Sequence, residues 1–158
     1  MWVSWRLDET YIKVKGVWHY LYRAVDKYGK TIDFLLTEHR DEEAAKRFLT
    51  KAIRRHGGVP EKITIDGSAA NEAAIKSDNE EHGTAIVIRK TKYLNNIVEQ
   101  DHRAIKRVTR PMLGFKAFDA AQATLTGIEL MHMLRKGQLA GGREQGRSAA
   151  EQFYALAA

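Results

Sequence analysis

Three acidic residues are spaced along the sequence so that a fold could bring them to one site. Asp8 lies in an alternating run near the start, Asp66 follows the short apolar run 63–65, and Glu99 lies in a later helical pattern. Carboxylates are the ligands that Mg²⁺ prefers, and each ion takes only one or two of them. Two ions about 3.5–4 Å apart can polarise both the attacking and the leaving oxygen of a phosphodiester. The three residues therefore favour metal-dependent phosphoryl transfer.

Each carboxylate also has an ordinary structural interpretation. Asp8 is followed by Glu9, and successive strand side chains point to opposite faces, so only one of the two can face a site. A strand carboxylate in a basic protein can be a surface ion-pair partner. Asp66-Gly67 is a common turn dipeptide, and Glu99 alone would be an ordinary exposed helix residue. These alternatives stay open until the fold is known.

The elements that must position the carboxylates begin with strands. Residues 3–37 alternate between apolar and polar side chains, and two turn signals divide them into a three-stranded antiparallel meander. A helix is predicted at about 41–56, because Asp41 is a good N-cap and Gly57 can end it. Beyond it the pattern predicts a strand at 63–65, then a weak helix at 68–81 that drifts into an acidic loop. A second strand is predicted at 85–88, followed by two strong helices at 93–109 and 117–136.

This order of elements predicts the fold class. Neither short strand alternates, which suits parallel strands buried on both faces. The order βββ-α-β-α-β-α-α predicts a ribonuclease H-like α/β fold, with a five-stranded mixed sheet and helices on both faces. We expect one core over residues 1–136, then a Gly/Arg-rich linker and a short helix in 137–158, and no domain before the first strand.

A helix with one basic face carries Glu99. The apolar residues of 93–110 cluster on one side of a helical wheel, and the opposite arc contains Asn95, Glu99, His102, Arg103, Lys106 and Arg110. From Arg89 to Arg110 there are seven Lys/Arg and two Asp/Glu, a local charge of +5. A phosphate backbone could cross this face, although charge runs are more often solvated surfaces. We expect contacts to DNA from Asn95, His102, Arg103, Lys106, Arg107 and Arg110, with metal ligation as an alternative for His102.

Composition narrows the class of partner. The chain has 158 residues, a formal net charge of +6 and no cysteine. A basic domain favours nucleic acid first and an acidic membrane surface second, and without thiols there are no disulfides or cysteine zinc sites. No apolar run is long enough for a transmembrane helix, so we expect a cytoplasmic location. Trp2, Trp5 and Trp18 are expected to pack in the core or on a sheet face rather than to stack on bases.

Several motifs resemble a known family, the bacterial insertion-sequence transposases of the IS-six family. The most specific is 93–107, YLNNIVEQDHRAIKR. The others are 5–16 (WRLDETYIKVKG), 20–26 (YLYRAVD), 41–49 (DEEAAKRFL), 110–116 (RPMLGFK) and 127–132 (GIELMH). The resemblance covers nearly the whole chain and implies a DDE recombinase core of the retroviral-integrase type.

The resemblance also implies roles. Asp8, Asp66 and Glu99 would be the catalytic residues and the ligands of two Mg²⁺ ions, which Mn²⁺ could replace. Lys106 would contact donor DNA near the cleaved end.

The partners would be DNA and further copies of the chain in a dimer or higher multimer, with no membrane. Such transposases carry an N-terminal helix-turn-helix, which we expect to be absent here.

The expected activity is divalent-metal-dependent cleavage of one DNA strand, followed by transfer of its 3′ end to a target. Two alternatives remain. The first is a ribonuclease H-like nuclease, whose metal site would look the same. The second is an inactive DNA-binding remnant of a transposase, which Asp8, Asp66 and Glu99 disfavour without excluding it.

Overall fold

The computed structural model describes residues 3–91, 96–109 and 115–137, with the backbone alone for residues 96 and 97. Three strands come first, then one helix, and then helices and strands in alternation before a final pair of helices. The elements are β1 (Ser4–Val14), β2 (Val17–Asp26), β3 (Thr31–Thr37), α1 (Glu42–His56), β4 (Lys62–Ile65), α2 (Ala69–His82), β5 (Val87–Lys90), α3 (Asn96–Thr109) and α4 (Phe118–Arg135). In these parts of the chain no helix is long and apolar enough to cross a membrane.

The strands form one sheet in the order β3-β2-β1-β4-β5. The first three pair antiparallel, and β4 and β5 run parallel to β1. The predicted mixed five-stranded sheet is therefore confirmed. Strand β4 pairs with β1 only from Ser4 to Arg6, so β1 continues past the end of β4, and Asp8 lies just beyond the last paired position.

The two faces of the sheet bury separate cores. Helices α1 and α2 cover one face, where Trp5, Tyr22 and Phe48 are fully buried. Helices α3 and α4 cover the other face, where Ile105 and Leu125 pack on the hairpin of β1 and β2. Side chains of β1 alternate between these cores, because successive strand residues point to opposite faces. The register pairs Asp8 with Arg23 of β2, which places both on the α3 and α4 side.

Local capping explains where α1 begins and ends. The side chain of Asp41 accepts a hydrogen bond from the backbone N–H of Ala44 at 2.8 Å, which satisfies one of the free donors at the helix start. Gly57 adopts the left-handed conformation with φ of 80°, which a residue without a Cβ takes at little cost. Both caps agree with the sequence prediction.

Two elements differ from the sequence prediction. Helix α2 runs through the acidic residues to His82 instead of ending in a loop, because the buried carboxylate of Asp78 contacts His82 and Thr84. Strand β5 begins two residues later than expected and lies at the sheet edge, with Val87 exposed. Both backbone groups of Ile86 bond to the side chain of Asn79, so the strand starts after that residue. The predicted C-terminal linker and helix, like Asn95 and Arg110, lie outside the described residues.

Candidate active site

The three predicted carboxylates lie on β1, directly after β4 and on α3, which packs on β1. Asp8 is buried on β1, with 9% of its surface exposed. Asp66 follows β4 directly and is exposed, in a turn where its Oδ1 accepts the N–H of Ser68 at 3.2 Å. Gly67 makes that turn possible with φ of 102°. Glu99 lies in the first turn of α3 and is partly buried.

The electrostatics of Asp8 show that the other two carboxylates are near. Burial, then the negative charge of Asp66 and, further down, that of Glu99, raise the pKa of Asp8 to about 7. The N–H of Glu9 bonds to Asp8 Oδ1 at 2.9 Å and offsets part of this effect. Within the described chain none of the three carboxylates forms an ion pair with a Lys, Arg or His. No ion pair within the described residues neutralises their negative charge, and a cation would stabilise it.

The carboxylates are close but not gathered into a ligand cage. In the part of the chain that the structure describes, no group of three Asp, Glu or His side chains is close enough to hold a metal ion. A donor set of three carboxylates, none of them ion-paired among the described residues, nevertheless fits a hard divalent ion.

Asp8→Asn is expected to raise the free energy of unfolding at pH 8 in metal-free buffer, because it removes a buried negative charge. The expected increase is about 2 kcal/mol, less than the full pKa shift implies, since solvent and salt screen part of the interaction. Folding raises the pKa of Asp8 from 3.8 to about 7. The folded chain thus binds the extra proton between these values, and its stability falls as the pH rises through that window. Denaturant unfolding of both proteins checks this. A stability difference that does not grow between about pH 4 and pH 8 would contradict it.

Glu9 occupies the opposite face of β1 and has a structural role. Its Oε1 accepts a hydrogen bond from Arg40 Nε at 2.6 Å, and its Oε2 accepts one from Asn71 at 3.0 Å. These contacts tie β1 to the loop before α1 and to α2. Partial burial lowers the pKa of Arg40, but Glu9 and, more weakly, Asp66 raise it overall. Arg40 therefore lies within electrostatic reach of the candidate site.

The predicted basic face of α3 is present in part. Arg103 and Arg107 are exposed and Lys106 is partly exposed, two turns along from Glu99. None of them forms an ion pair within the described residues, so their charge is available to an anion. Asn95 and Arg110, which the sequence placed on this face, lie outside the described residues.

His102 does not belong to that face. It is 6% exposed, and burial, together with the charges of Arg23 and Lys106, lowers its pKa to about 3. The stripe that α3 buries is Val98, His102, Ile105 and Thr109, so the imidazole packs inward as a neutral ring. The expected contact of His102 with DNA does not agree with this position. A helical wheel missed it because the ring lies at the border between the apolar and polar arcs.

Sequence reasoning also missed a buried ionic cluster beneath α3. Arg23 is fully buried and pairs with Glu129 of α4, which is itself fully buried, and with Asp101 of α3 at 3.4 Å. Lys136 also pairs with Asp101 at 2.6 Å. Asp101 is two residues from Glu99, so the cluster fixes the helix that carries the third carboxylate. Its only sequence signal was Glu129 within the apolar pattern of α4.

Comparison with known proteins identifies the class. The family described as a DDE domain (DDE_Tnp_IS240) matches residues 2–138, and the chain belongs to this family. It is 40% identical over 141 residues to the transposase for the insertion sequence-like element IS431mec of Staphylococcus aureus, and equally to the transposase of the element IS257 in transposon Tn4003 of the same species. The match covers 84% of this chain and 58% of each relative, so the chain spans a little over half of their length. The resemblance to IS-six family transposases is confirmed.

A solved structure supports the fold independently. The catalytic core domain of HTLV-2 integrase, described as a complex with magnesium in a trimeric form, superposes with a TM-score of 0.61 at 18% identity and covers 94% of both chains. This similarity confirms the ribonuclease H-like fold.

Proposed function

We propose that this chain is the strand-cutting and strand-joining domain of an insertion-sequence transposase, acting on DNA with a divalent metal. The observation that carries the proposal is the state of Asp8. Its carboxylate is buried, and this burial, followed by the negative charges of Asp66 and Glu99, raises its pKa to about 7. A protein that keeps such an unfavourable arrangement has a use for it, because perturbed carboxylates concentrate at functional sites. Family membership supports the same function.

Asp8, Asp66 and Glu99 are the residues that would hold the metal. The integrase core of similar fold is described with magnesium, and we propose two Mg²⁺ ions here, with Mn²⁺ as a substitute. Bound there, Mg²⁺ would polarise phosphodiester oxygens as a Lewis acid. Because Asp66 is exposed, a DNA strand could reach the site from the solvent. Asp8 is buried on β1, so its position is held by the sheet.

The residues of α3 would position the DNA. Arg103, Lys106 and Arg107 extend from Glu99 along the helix and would hold the phosphate backbone, which positions a duplex without specifying its sequence.

The first step of the proposed reaction is hydrolysis of one phosphodiester, which leaves a 3′-OH. In the second step that hydroxyl oxygen bonds to a target phosphorus, the bond from phosphorus to its 3′-oxygen breaks, and the proton passes to solvent. One phosphodiester forms as one breaks, so no nucleotide cofactor is consumed.

Joining two DNA ends requires more than one active site, so we propose that the chain acts as a homodimer or higher multimer on DNA. The trimeric form of the integrase core supports self-association within this fold. Sedimentation of the chain with and without DNA ends tests this, with a larger species expected when DNA is present.

The direct test of the function is strand joining with a pre-cleaved DNA end. The chain, Mn²⁺ and a labelled duplex with a free 3′-OH are mixed with plasmid, and transfer of the label to the plasmid is expected. A parallel reaction with an RNA–DNA hybrid distinguishes a nuclease of the same fold. Hybrid cleavage without any joining would contradict the proposed function.

Lys106→Ala is expected to weaken binding to a blunt duplex uniformly across sequences, and to reduce the slope of log affinity against log salt by about 1. Lys106 lies on the face of Glu99 and forms no ion pair within the described residues, so it can displace a counterion from phosphate. Lys27→Ala removes an exposed lysine from the distant β2–β3 turn and should leave the slope unchanged. Equal slopes for both variants would contradict the role of α3.

A further inference from the structure

The β1–β2 hairpin presents aromatic side chains that the core does not use. Tyr11 is 46% exposed and Trp18 is 56% exposed, although both lie within paired strands. Their rings meet edge to face at 6.1 Å, and Tyr20 packs on Tyr11 at 5.4 Å. Helix α1 covers this face only as far as Tyr22, whose ring stacks on Phe48. We call the rings of Tyr11, Trp18 and Tyr20 the aromatic platform.

Cations surround the aromatic platform. Lys13 Nζ lies 5.5 Å from the ring centre of Trp18, and Arg40 donates a hydrogen bond to the Tyr11 hydroxyl at 3.1 Å. The neighbouring Lys15 is exposed. Arg40 is paired with Glu9, whereas Lys13 and Lys15 form no ion pair among the described residues. Exposed rings beside such lysines are the combination that binds unpaired nucleotides, because bases stack on the rings while cations neutralise phosphate.

The platform is continuous with two other charged regions. Arg40 and Glu9 link it to the edge where Asp66 lies. On its other side, Tyr20 is paired in register with Thr37, which lines an open groove of about 660 Å³ along α1. Charged residues of the groove are the cations Lys46, Arg47, Lys51 and Arg54 and the carboxylates Asp41 and Glu43. Lys46 and Lys51 are paired with Glu81 and Asp33, so Arg47 and Arg54 are the groove cations left among the described residues for a phosphate chain that leaves the platform along α1.

We propose that the aromatic platform, which lies on the α1 face of the sheet, binds unpaired nucleotides of a DNA end by stacking their bases on Trp18 and Tyr11. The inference deepens the proposed function, since it rests on DNA as the substrate. The sequence prediction that Trp18 packs on the sheet face agrees with its contact with Tyr11, and 56% of the residue remains exposed and can contact a base. Its partner is single-stranded DNA rather than another protein, because the rings are interspersed with cations instead of forming an apolar patch.

The test compares a blunt duplex with duplexes carrying a tail of about four unpaired thymidines on the 5′ or the 3′ end. Fluorescence anisotropy in the same salt gives each affinity. The wild-type chain is expected to prefer at least one tailed duplex. Trp18→Ala should weaken binding to that duplex about tenfold and change binding to the blunt duplex less than about twofold. Trp18→Phe should keep most of the preference, because it retains a ring.

Tyr28→Ala is the matched control. Tyr28 is 76% exposed in the β2–β3 turn and has Lys27 over its ring at 5.0 Å, so the variant removes an aromatic and cation pair away from the platform. It should bind all duplexes as the wild type does. Tyr11→Ala, with a weaker effect of the same direction, keeps the test decisive if Trp18→Ala does not fold.

The outcomes separate the platform from the proposed function. If the wild-type chain binds blunt duplex with no preference for either tail, nucleotide binding by the platform is contradicted, while the proposed function is unaffected. A loss of tail preference equal in Tyr28→Ala and Trp18→Ala also overturns it. A change in sedimentation for Trp18→Ala without any change in tail preference would assign the rings to a contact between copies instead. A wild-type chain that binds and joins no DNA removes the proposed function itself.

Discussion

Glu99→Gln is expected to lower the rate of DNA strand joining by about a thousandfold, while the affinity for DNA changes less than about threefold. The substitution keeps the size of the side chain and removes the charge that a divalent ion needs. Loss of metal assistance costs several kcal/mol of transition-state stabilisation, and each 1.4 kcal/mol is about tenfold in rate. Arg103 and Lys106 are unchanged in this variant, so their binding to the DNA backbone persists.

The measurement is joining of a pre-cleaved end at saturating DNA, with the affinity determined separately. Glu80→Gln is the matched control, because it makes the same chemical change at an exposed position of α2. It should join DNA at the wild-type rate. A Glu99→Gln chain that joins DNA within about tenfold of the wild-type rate would remove Glu99 from the metal site.

Glu129→Gln is expected to lower the free energy of unfolding by about 3–5 kcal/mol. Glu129 is fully buried against fully buried Arg23, and removing one charge of such a pair leaves the other without compensation. Asp101, at 3.4 Å from Arg23, limits the damage but cannot replace the lost partner.

Urea unfolding of the metal-free chain measures this effect. Glu81→Gln serves as the control, since it breaks the surface pair with Lys46 and should leave stability almost unchanged, because exposed pairs are screened by water and salt. Arg23→Met combined with Glu129→Leu should recover much of the loss, because a packed apolar pair avoids burying an unpaired charge. Equal stabilities of Glu129→Gln and Glu81→Gln would contradict this account.

Local sequence patterns predicted those elements well in which alternating apolar residues or capping residues determine the secondary structure. The meander of β1 to β3 and the capped helix α1 follow from alternation, from Asp41 and from Gly57, all of which act within a few residues. The sheet order also followed, because two short strands after a meander leave few ways to close a mixed sheet. The carboxylates of the candidate site were predicted from residue type and strand order, which together limit where they can lie.

The features that the sequence did not predict come from contacts between different elements of the fold. Strand β5 starts late because Asn79 binds the backbone of Ile86, which an apolar run cannot indicate. His102 lies inward because α3 packs over Arg23, and Arg23 itself is buried only because Glu129 and Asp101 meet it from two helices. The exposure of Trp18 follows from the length of α1, which ends its cover of the sheet near Tyr22. Arg23 is far in sequence from Asp101 and Glu129, and the contact of Asn79 with Ile86, only seven residues apart, joins α2 to the segment before β5.

The central claim is that Asp8, Asp66 and Glu99 together bind a divalent metal, and titration of the chain with Mn²⁺ tests it most directly. Calorimetry on the wild-type chain and on Asp66→Asn, at a pH above 7 so that Asp8 is ionised, gives both affinities. Saturable binding to the wild type and at least about a tenfold loss in Asp66→Asn is the predicted result. Equal binding by the two proteins, or no binding by the wild type, would contradict the claim.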